Sequence, residues 1–282
     1  VAVELGSLGG VRRCAVLGSP IEHSLSPVLH RAAYGHLGLD WTYDRVEVDE
    51  HQLAPFVCGL DASWRGLSLT MPLKVAVLGL GHVDELAKLA GAGNTLIVEG
   101  GERWVYNTDV GGLIWAVSQV ATTPLPRATI VGTGATARAA LLAVTQLGAQ
   151  LVTVVARTPG RAEAFRTLSE ELGVRLDVLP WSVQLPDADL VVSSVVSGAA
   201  DGLAQAIAAS APVIVDIIYD PWPTVLAVAA EHAGCTVVSG LDLLVGQALL
   251  QIELMTGRSV ASEVLYAALE SERAARQHVE DC

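Results

Sequence analysis

At residues 128–138 the chain reads Ala-Thr-Ile-Val-Gly132-Thr-Gly134-Ala135-Thr-Ala137-Arg138: an apolar run, a Gly-x-Gly-x-x-Ala turn, then a helical pattern. A strand that meets a helix through this turn leaves few architectures open. Gly132 permits the tight turn, Gly134 lets a backbone approach a pyrophosphate closely, and Ala137 keeps helix and strand together. The unpaired N–H groups of the helix start then face the phosphates. Alone the triplet is weak in a chain with 27 Gly, and an ordinary βα turn in a nucleotide-free domain explains it too. The strand–turn–helix context tips the reading toward a dinucleotide site.

The surrounding pattern agrees. Residues 128–132, 151–156, 174–179, 188–194, 213–218 and 235–240 are short apolar runs rich in Val and Ile, as in strands buried on both faces. With helical stretches at 135–147 and 159–172, they predict an open, doubly wound parallel sheet. Upstream, strands are expected at 13–17, 41–48 and 64–69. Helices are expected over 28–37, with Ser26 as cap ahead of Pro27, over 50–60, and from Met71-Pro72 onward. Residues 94–98 and 102–106 read as a hairpin, and Asp109 stands at a helix start. Residues 119–127, with Pro124 and Pro126, read as a linker. Helices at 243–255 and 260–276 close the chain. The whole is α/β and two-lobed: an N-terminal α/β domain, then a Rossmann-like doubly wound domain.

Bulk charge excludes some partners. With 17 Lys+Arg against 30 Asp+Glu the formal charge is −13, and no basic run offers a surface to nucleic acid. No apolar stretch approaches the about 18 residues of a membrane span, and VAVELGSLGGVRRC has no signal-like apolar segment. Cys14, Cys58, Cys235 and Cys282 lie far apart, Cys14 and Cys235 in runs that read as buried strands. Reduced thiols and a cytoplasmic setting are expected.

Other residues bear on chemistry. The second strand of the dinucleotide unit ends at Ala156-Arg157-Thr158, with no acid to hold a ribose 2′-hydroxyl. A guanidinium there grips a 2′-phosphate, which favours NADP over NAD, although a solvated loop charge is the alternative. Lys74 and Asp109 are suited to exchanging a proton with a carbonyl or carbinol oxygen. On spacing alone they read better as separate surface charges. Ser24 and Ser26 suit either a small carboxylate or helix capping. His23 and His30 stand at no metal-binding spacing; His36, His82, His232 and His278 are isolated, and no metal site is expected. A Gly-x-Ser-x-Gly elbow is missing, which argues against a serine hydrolase.

Together these stretches resemble the shikimate/quinate dehydrogenase family. The resemblance rests on Gly18-Ser-Pro-Ile-Glu-His-Ser24-Leu-Ser26-Pro27, Leu69-Thr70-Met71-Pro72-Leu73-Lys74, Gly91-Ala-Gly-Asn94-Thr95 and Tyr106-Asn107-Thr108-Asp109-Val110-Gly111. It extends to the Gly132–Arg138 loop, Ala156-Arg157-Thr158 and Gly240-Leu-Asp-Leu-Leu-Val-Gly-Gln247-Ala. The order and spacing of these short motifs are specific. The resemblance implies reversible, NADPH-dependent reduction of 3-dehydroshikimate to shikimate, a step toward aromatic amino acids. Lys74 and Asp109 would form the catalytic pair. Ser24 and Ser26 would hold the substrate carboxylate; Thr70, Asn94, Asp109 and Gln247 its ring hydroxyls; Tyr219 would line the substrate side. Gly132, Gly134, Ala135, Ala137, Arg138, Arg157, Thr158 and Gly240 would bind NADP. It implies a substrate domain of residues 1–110 completed by 241–282, an NADP-binding domain of 111–240, and a cleft between them.

Three positions depart from the family pattern. The usual GAGGA is Gly132-Thr133-Gly134-Ala135-Thr136, the usual NRT is Ala156-Arg157-Thr158, and the usual Gly-x-x-Met-Leu-Val has Leu243 for Met. Ala135 is small enough to keep the turn, Ala156 removes an adenosine-side contact, and Leu243 conserves bulk. Quinate or NAD use, a folate-linked methylene dehydrogenase and a non-enzymatic nucleotide-binding regulator are the competing readings. The oligomeric state, monomer or homodimer, is open.

Overall fold

The computed structural model describes residues 11–181 and 184–280. The first ten residues, Cys282 and the His278 side chain therefore lie outside what is described.

The chain begins β1 (Arg13–Gly18), α1 (Ser26–His36), β2 (Thr42–Glu47), α2 (Glu50–Cys58), β3 (Trp64–Leu69). It continues β4 (His82–Val83), α3 (Glu85–Ala90), β5 (Thr95–Glu99), β6 (Glu102–Tyr106), α4 (Thr108–Ser118). Then come β7 (Arg127–Val131), α5 (Ala135–Gln146), β8 (Leu151–Ala156), α6 (Glu163–Leu172), β9 (Arg175–Pro180) and β10 (Leu190–Ser193). The last elements are α7 (Ala204–Ser210), β11 (Val213–Asp216), α8 (Val225–His232), β12 (Thr236–Ser239), α9 (Gly240–Thr256) and α10 (Ser262–Glu280). Two compact units result. One holds the chain up to Thr108 together with that from Gln247 onward; the other is Asp109–Gly246.

In the first unit a six-stranded mixed sheet has the order β2-β1-β3-β5-β6-β4. β1 pairs in parallel with β2 and β3, and β5 pairs antiparallel with β3 and with its hairpin partner β6. The alternation of β1 assigns its two faces. Ala15 and Leu17 join Leu53, Val57, Leu67, Leu69 and Leu96 in one core. Cys14 and Val16 join Tyr34, Trp41, Tyr43 and Met255 in the other. α2 starts with a complete capping box: Asp49 Oδ1 accepts from the Gln52 backbone at 2.9 Å, and the Gln52 side chain accepts from the Asp49 backbone at 3.0 Å. Such a cap stabilises a helix by roughly 1 kcal/mol.

The second unit contains an all-parallel sheet of order β12-β11-β10-β7-β8-β9. The order steps from β7 outward in both directions, as a doubly wound sheet requires. Val131, Val155, Val191 and Ile214 bury one face against Leu203, Ile207 and Leu226.

Several local expectations are corrected. Ser26 does not cap α1. Leu25 holds the cap position, Ser26 is the first helical residue, and the Ser26 N–H donates to Ser24 Oγ at 3.3 Å. The chain after Pro72 makes turns and then a short 3-10 helix at Ala76–Leu80 rather than an α-helix. Leu73 and Val77 are buried along this stretch, and the Val77 N–H donates to the Leu73 carbonyl at 3.1 Å. Cys235 precedes β12 and is half-buried, its thiol donating to the Ala208 and Ala211 carbonyls at 3.2 and 3.3 Å. The helix expected from 243 starts at Gly240.

Candidate active site

The first-unit residues expected on the substrate side sit at strand ends and helix starts. Ser24 lies just ahead of α1, its carbonyl accepting from Arg45 Nε at 2.7 Å and its N–H donating to the Ile21 carbonyl at 3.0 Å. Ser26 is buried in the first turn. Two hydroxyls at the start of an eleven-residue helix, with the positive end of its dipole behind them, make a local environment for a carboxylate. Thr70 follows β3: its N–H donates to the Leu17 carbonyl at 2.9 Å, and its carbonyl accepts from Leu73 N at 2.8 Å. Lys74 is half-buried, and its carbonyl accepts from Gly93 N at 2.7 Å, which ties it to the segment leading into Asn94.

Asn94 is 2% exposed and is held from several sides. Its Oδ1 accepts from the Thr108 N–H at 2.7 Å, and its Nδ2 donates to Thr108 Oγ1 at 2.9 Å and to Gln247 Oε1 at 3.4 Å. Asn107 Nδ2 donates to the Ala92 carbonyl at 2.9 Å. Residues from distant sequence regions thus share one buried polar cluster. Thr108 belongs to it, although within the Asn-Thr-Asp motif the sequence assigns it no role of its own. So does Gln251, discussed below.

Another buried polar residue escapes the sequence reading. Arg65 on β3 is 8% exposed. It donates to the Met255 carbonyl at 2.7 Å, to Leu254 at 3.3 Å and to Val98 at 3.2 Å, and pairs with Glu99 at 3.2 Å. A guanidinium at the last carbonyls of α9 suits the negative end of that helix. It fastens the helix that carries Gln247 to the sheet.

In the second unit the Gly132–Arg138 stretch leads from β7 into α5. Gly132 has φ +116°, and a Cβ there would stand 2.7 Å from Ser194 Oγ, so only glycine fits. Gly134 caps α5 with no side-chain cap bond, and a Cβ on it would meet no protein atom within 4 Å. The first-turn amides of α5, at Ala135 to Ala137, therefore have no side-chain cap, and Ala137 is fully buried. Arg138 is half-buried, and burial draws its guanidinium below the ordinary value against the opposing charge of Glu171. Past β8, Arg157 and Thr158 are exposed, with the Arg157 guanidinium 5.0 Å from the Trp181 ring centroid. Trp181 in turn packs on the core. A pinned cation at the end of the second strand, with an uncapped helix start after the first, fits the phosphates of NADP.

Tyr219 follows β11, half-buried, beyond Asp216. Asp216 is itself buried, and accepts from Thr224 Oγ1 at 2.6 Å; loss of solvent raises its carboxyl above the usual range. Gly240 starts α9, where a Cβ would collide with the Ile217 carbonyl. Asp109, buried, is the second residue of α4 and the first of this unit. Ser24, Ser26, Thr70, Lys74, Asn94 and Gln247 belong to the first unit. Asp109, Tyr219, Gly240 and the dinucleotide residues belong to the second.

Residues 16–96 match the family model of the shikimate dehydrogenase substrate binding domain. The shikimate dehydrogenase (NADP(+)) of Methanothermobacter thermautotrophicus is 32% identical, over 90% of this chain and 94% of its own length. The crystal structure of Mycobacterium tuberculosis shikimate dehydrogenase superposes with TM-score 0.86 at 38% identity, covering 92% of this chain and 99% of that one. The shikimate 5-dehydrogenase of Thermus thermophilus, in complex with NADP(H) and shikimate, superposes with TM-score 0.82 at 31% identity, covering 92% and 99%.

This chain belongs to the shikimate dehydrogenase family.

Membership accounts for the two-sheet architecture and for the order of the short motifs along the chain. It also gives a chemical context to polar residues that a purely apolar core would not hold. Among the described residues no group of His, Cys, Asp and Glu could hold a metal ion, and no helix is long and apolar enough to cross a membrane.

Proposed function

We propose that this chain is an NADP-dependent shikimate dehydrogenase that reduces 3-dehydroshikimate reversibly to shikimate. The observation that carries this is the cluster of Asn94, Thr108 and Gln247, gathered from distant parts of the sequence in the same unit as Ser24, Ser26 and Lys74. The substrate has a carboxylate at one end, hydroxyls on its ring and a carbonyl that changes oxidation state. A helix start bearing two serines suits the first, amides and a threonine the second, and an ammonium the third.

Bound NADPH supplies the hydride. Ser24 and Ser26 hold the carboxylate, and Thr70, Asn94, Asp109 and Gln247 orient the ring through its hydroxyls. Lys74 donates a proton to the oxygen as negative charge builds there, and its own charge stabilises that oxygen beforehand. Asp109 would orient the substrate hydroxyl and Lys74, Lys74 takes the proton back by the same path in the reverse direction, and Tyr219 would contribute to the substrate side. On the cofactor side, the loop Gly132 to Arg138 would cradle the pyrophosphate, Arg157 and Thr158 would take the 2′-phosphate, and Gly240 would stand near the nicotinamide end. The substrate domain is drawn at 1–110 with 241–282 and the cofactor domain at 111–240, which counts Asp109 with the substrate residues although it begins the second compact unit. A cytoplasmic setting suits Cys14, Cys58 and Cys235, which are all free thiols.

The test is the near-ultraviolet absorbance of reduced nicotinamide, with shikimate or quinate and NADP or NAD in all four combinations. Growth with shikimate and NADP well above the other three supports the reading. Silence in every combination overturns it, and a larger rate with quinate or with NAD overturns the stated specificity.

A further inference from the structure

Behind the Asn94 cluster lies a chain of buried polar side chains with no assigned role. Gln251 stands one helical turn after Gln247 on α9 and is 1% exposed. Its Nε2 donates to the Asn94 carbonyl at 3.3 Å and to Thr95 Oγ1 at 3.0 Å. Its Oε1 accepts from Ser68 Oγ at 2.8 Å and lies 3.2 Å from His30 Nε2. Tyr43, fully buried and stacked on His30 at 4.0 Å, donates to Ser68 Oγ at 2.6 Å. Thr95 Oγ1 donates to Asn94 Oδ1 at 3.1 Å.

The polarity of this chain follows from its backbone members. The Asn94 carbonyl can only accept, so the Gln251 amide must turn its NH2 there and its oxygen toward Ser68 and His30. Ser68 then spends its one proton on Gln251 and must accept from Tyr43. His30 must carry its proton on Nε2. At the other end the Thr108 N–H can only donate, so Asn94 turns its oxygen toward it and its NH2 toward Gln247. Thr95, which accepts from Gln251, has its proton left for that same Asn94 oxygen. Each bond runs in one direction, from Tyr43 through Ser68, Gln251, Thr95 and Asn94 to Gln247. All the members lie in the first unit. Networks of this kind specify one arrangement when every member is satisfied.

We propose that Gln251 and Thr95 are positioning residues, which hold the Asn94 amide, and through it the Gln247 amide, in the single orientation that meets the substrate's ring hydroxyls. The proposal rests on the shikimate dehydrogenase reading for the identity of that substrate. It does not rest on it for the orientation itself.

The test compares Thr95→Val, which keeps shape and removes the hydroxyl, with Thr95→Ser, which restores it, and with Gln251→Met. Thr95→Val and Gln251→Met are expected to raise the KM for shikimate about 10-fold, the effect of one misdirected hydrogen bond to a ring hydroxyl, with the KM for NADP unchanged. Thr95→Ser is expected to return the shikimate KM to within about 2-fold of wild type. In parallel, exchange of the Asn94 side-chain amide protons is followed by NMR in the unliganded protein. Faster exchange in Thr95→Val but not in Thr95→Ser supports the proposal even if the wild type turns over no shikimate, a result that would sink the functional reading alone. Wild-type exchange in Thr95→Val overturns the proposal. So does a rise in both KM values with a matching loss of thermal stability, since that marks a general structural role.

Discussion

In the first sheet the hydroxyls of Tyr43 and Ser68 are buried and bonded, whereas in the second sheet the buried hydroxyls of Thr129 and Ser193 have no partner among the described residues. The first unit builds recognition from side chains that reach each other across the fold. Ser68 meets Gln251 over 183 positions and Asn94 meets Gln247 over 153. On the proposed function the second would hold its cofactor largely through backbone, with a glycine at positive φ and an uncapped helix start, helped by Arg138 and by Arg157 over a tryptophan. A site made of side chains can be shaped to one substrate. A site made of backbone amides suits a cofactor whose phosphates many enzymes must hold. The difference predicts which substitutions damage chemistry, which damage stability and which alter cofactor choice.

The largest effect is expected at Lys74. Lys74→Ala should lower kcat by about 10²- to 10⁴-fold, the usual contribution of a positioned proton donor, with a much smaller change in shikimate binding. Steady-state kinetics with a parallel binding titration would check this. A near-wild-type kcat would move the proton transfer away from the first unit and break the comparison at its main point.

Acid should weaken the buried polar chain of the first unit through His30. Burial pulls His30 down from 6.5 to about 3, only partly offset by its bond to Gln251. The unfolded chain takes up a proton below pH 6.5 that the folded chain refuses. This contribution is therefore intact above pH 6.5 and is lost as pH falls toward about 3, at up to about 1.4 kcal/mol per pH unit. Urea unfolding of wild type and His30→Gln at several pH values isolates it. The wild type should lose stability more steeply; parallel curves would mean that His30 does not titrate as its burial requires. Arg65→Met, which strips three carbonyls of their donor, should cost about 1–3 kcal/mol in the same assay while leaving the KM for NADP unchanged.

The contrast also explains what the sequence revealed. The parallel sheet was legible because its strands are continuous Val- and Ile-rich runs, and the dinucleotide loop because its glycine spacing is local. Ser24, Ser26, Lys74 and Asp109 stood out only through short motifs taken together; by spacing alone, Lys74 and Asp109 read as surface charges. Gln251 and Arg65 were invisible. A glutamine inside Leu-Leu-Gln-Ile-Glu-Leu looks like an exposed helix position, and an arginine in Trp-Arg-Gly-Leu-Ser-Leu looks like an outward strand residue. Their partners are 156 and 190 positions away, and no local period records such distances. Ser26 misled for a related reason. Ser before Pro is a common helix cap, but here Ser24 accepts the Ser26 N–H and the helix begins one residue earlier than a Ser26 cap would place it.

The smallest effects belong to the second unit and sharpen the comparison most. Arg157 is exposed, so its value lies in what it grips rather than in packing. Arg157→Ala should raise the KM for NADP about 10-fold and leave that for NAD unchanged, because only the 2′-phosphate distinguishes the two. Trp181 holds the guanidinium from below at 5.0 Å, a contact that contributes about 0.5–1 kcal/mol at an exposed site. Trp181→Leu, which keeps an apolar side chain on the core, should therefore raise the KM for NADP by only about 2- to 5-fold. An equal change for NAD and NADP in Arg157→Ala would remove the 2′-phosphate argument. An effect at Arg157 with none at Trp181 would show that the arginine finds the phosphate without being pre-aimed, and that this side chain of the cofactor site is set by the ligand rather than by the fold.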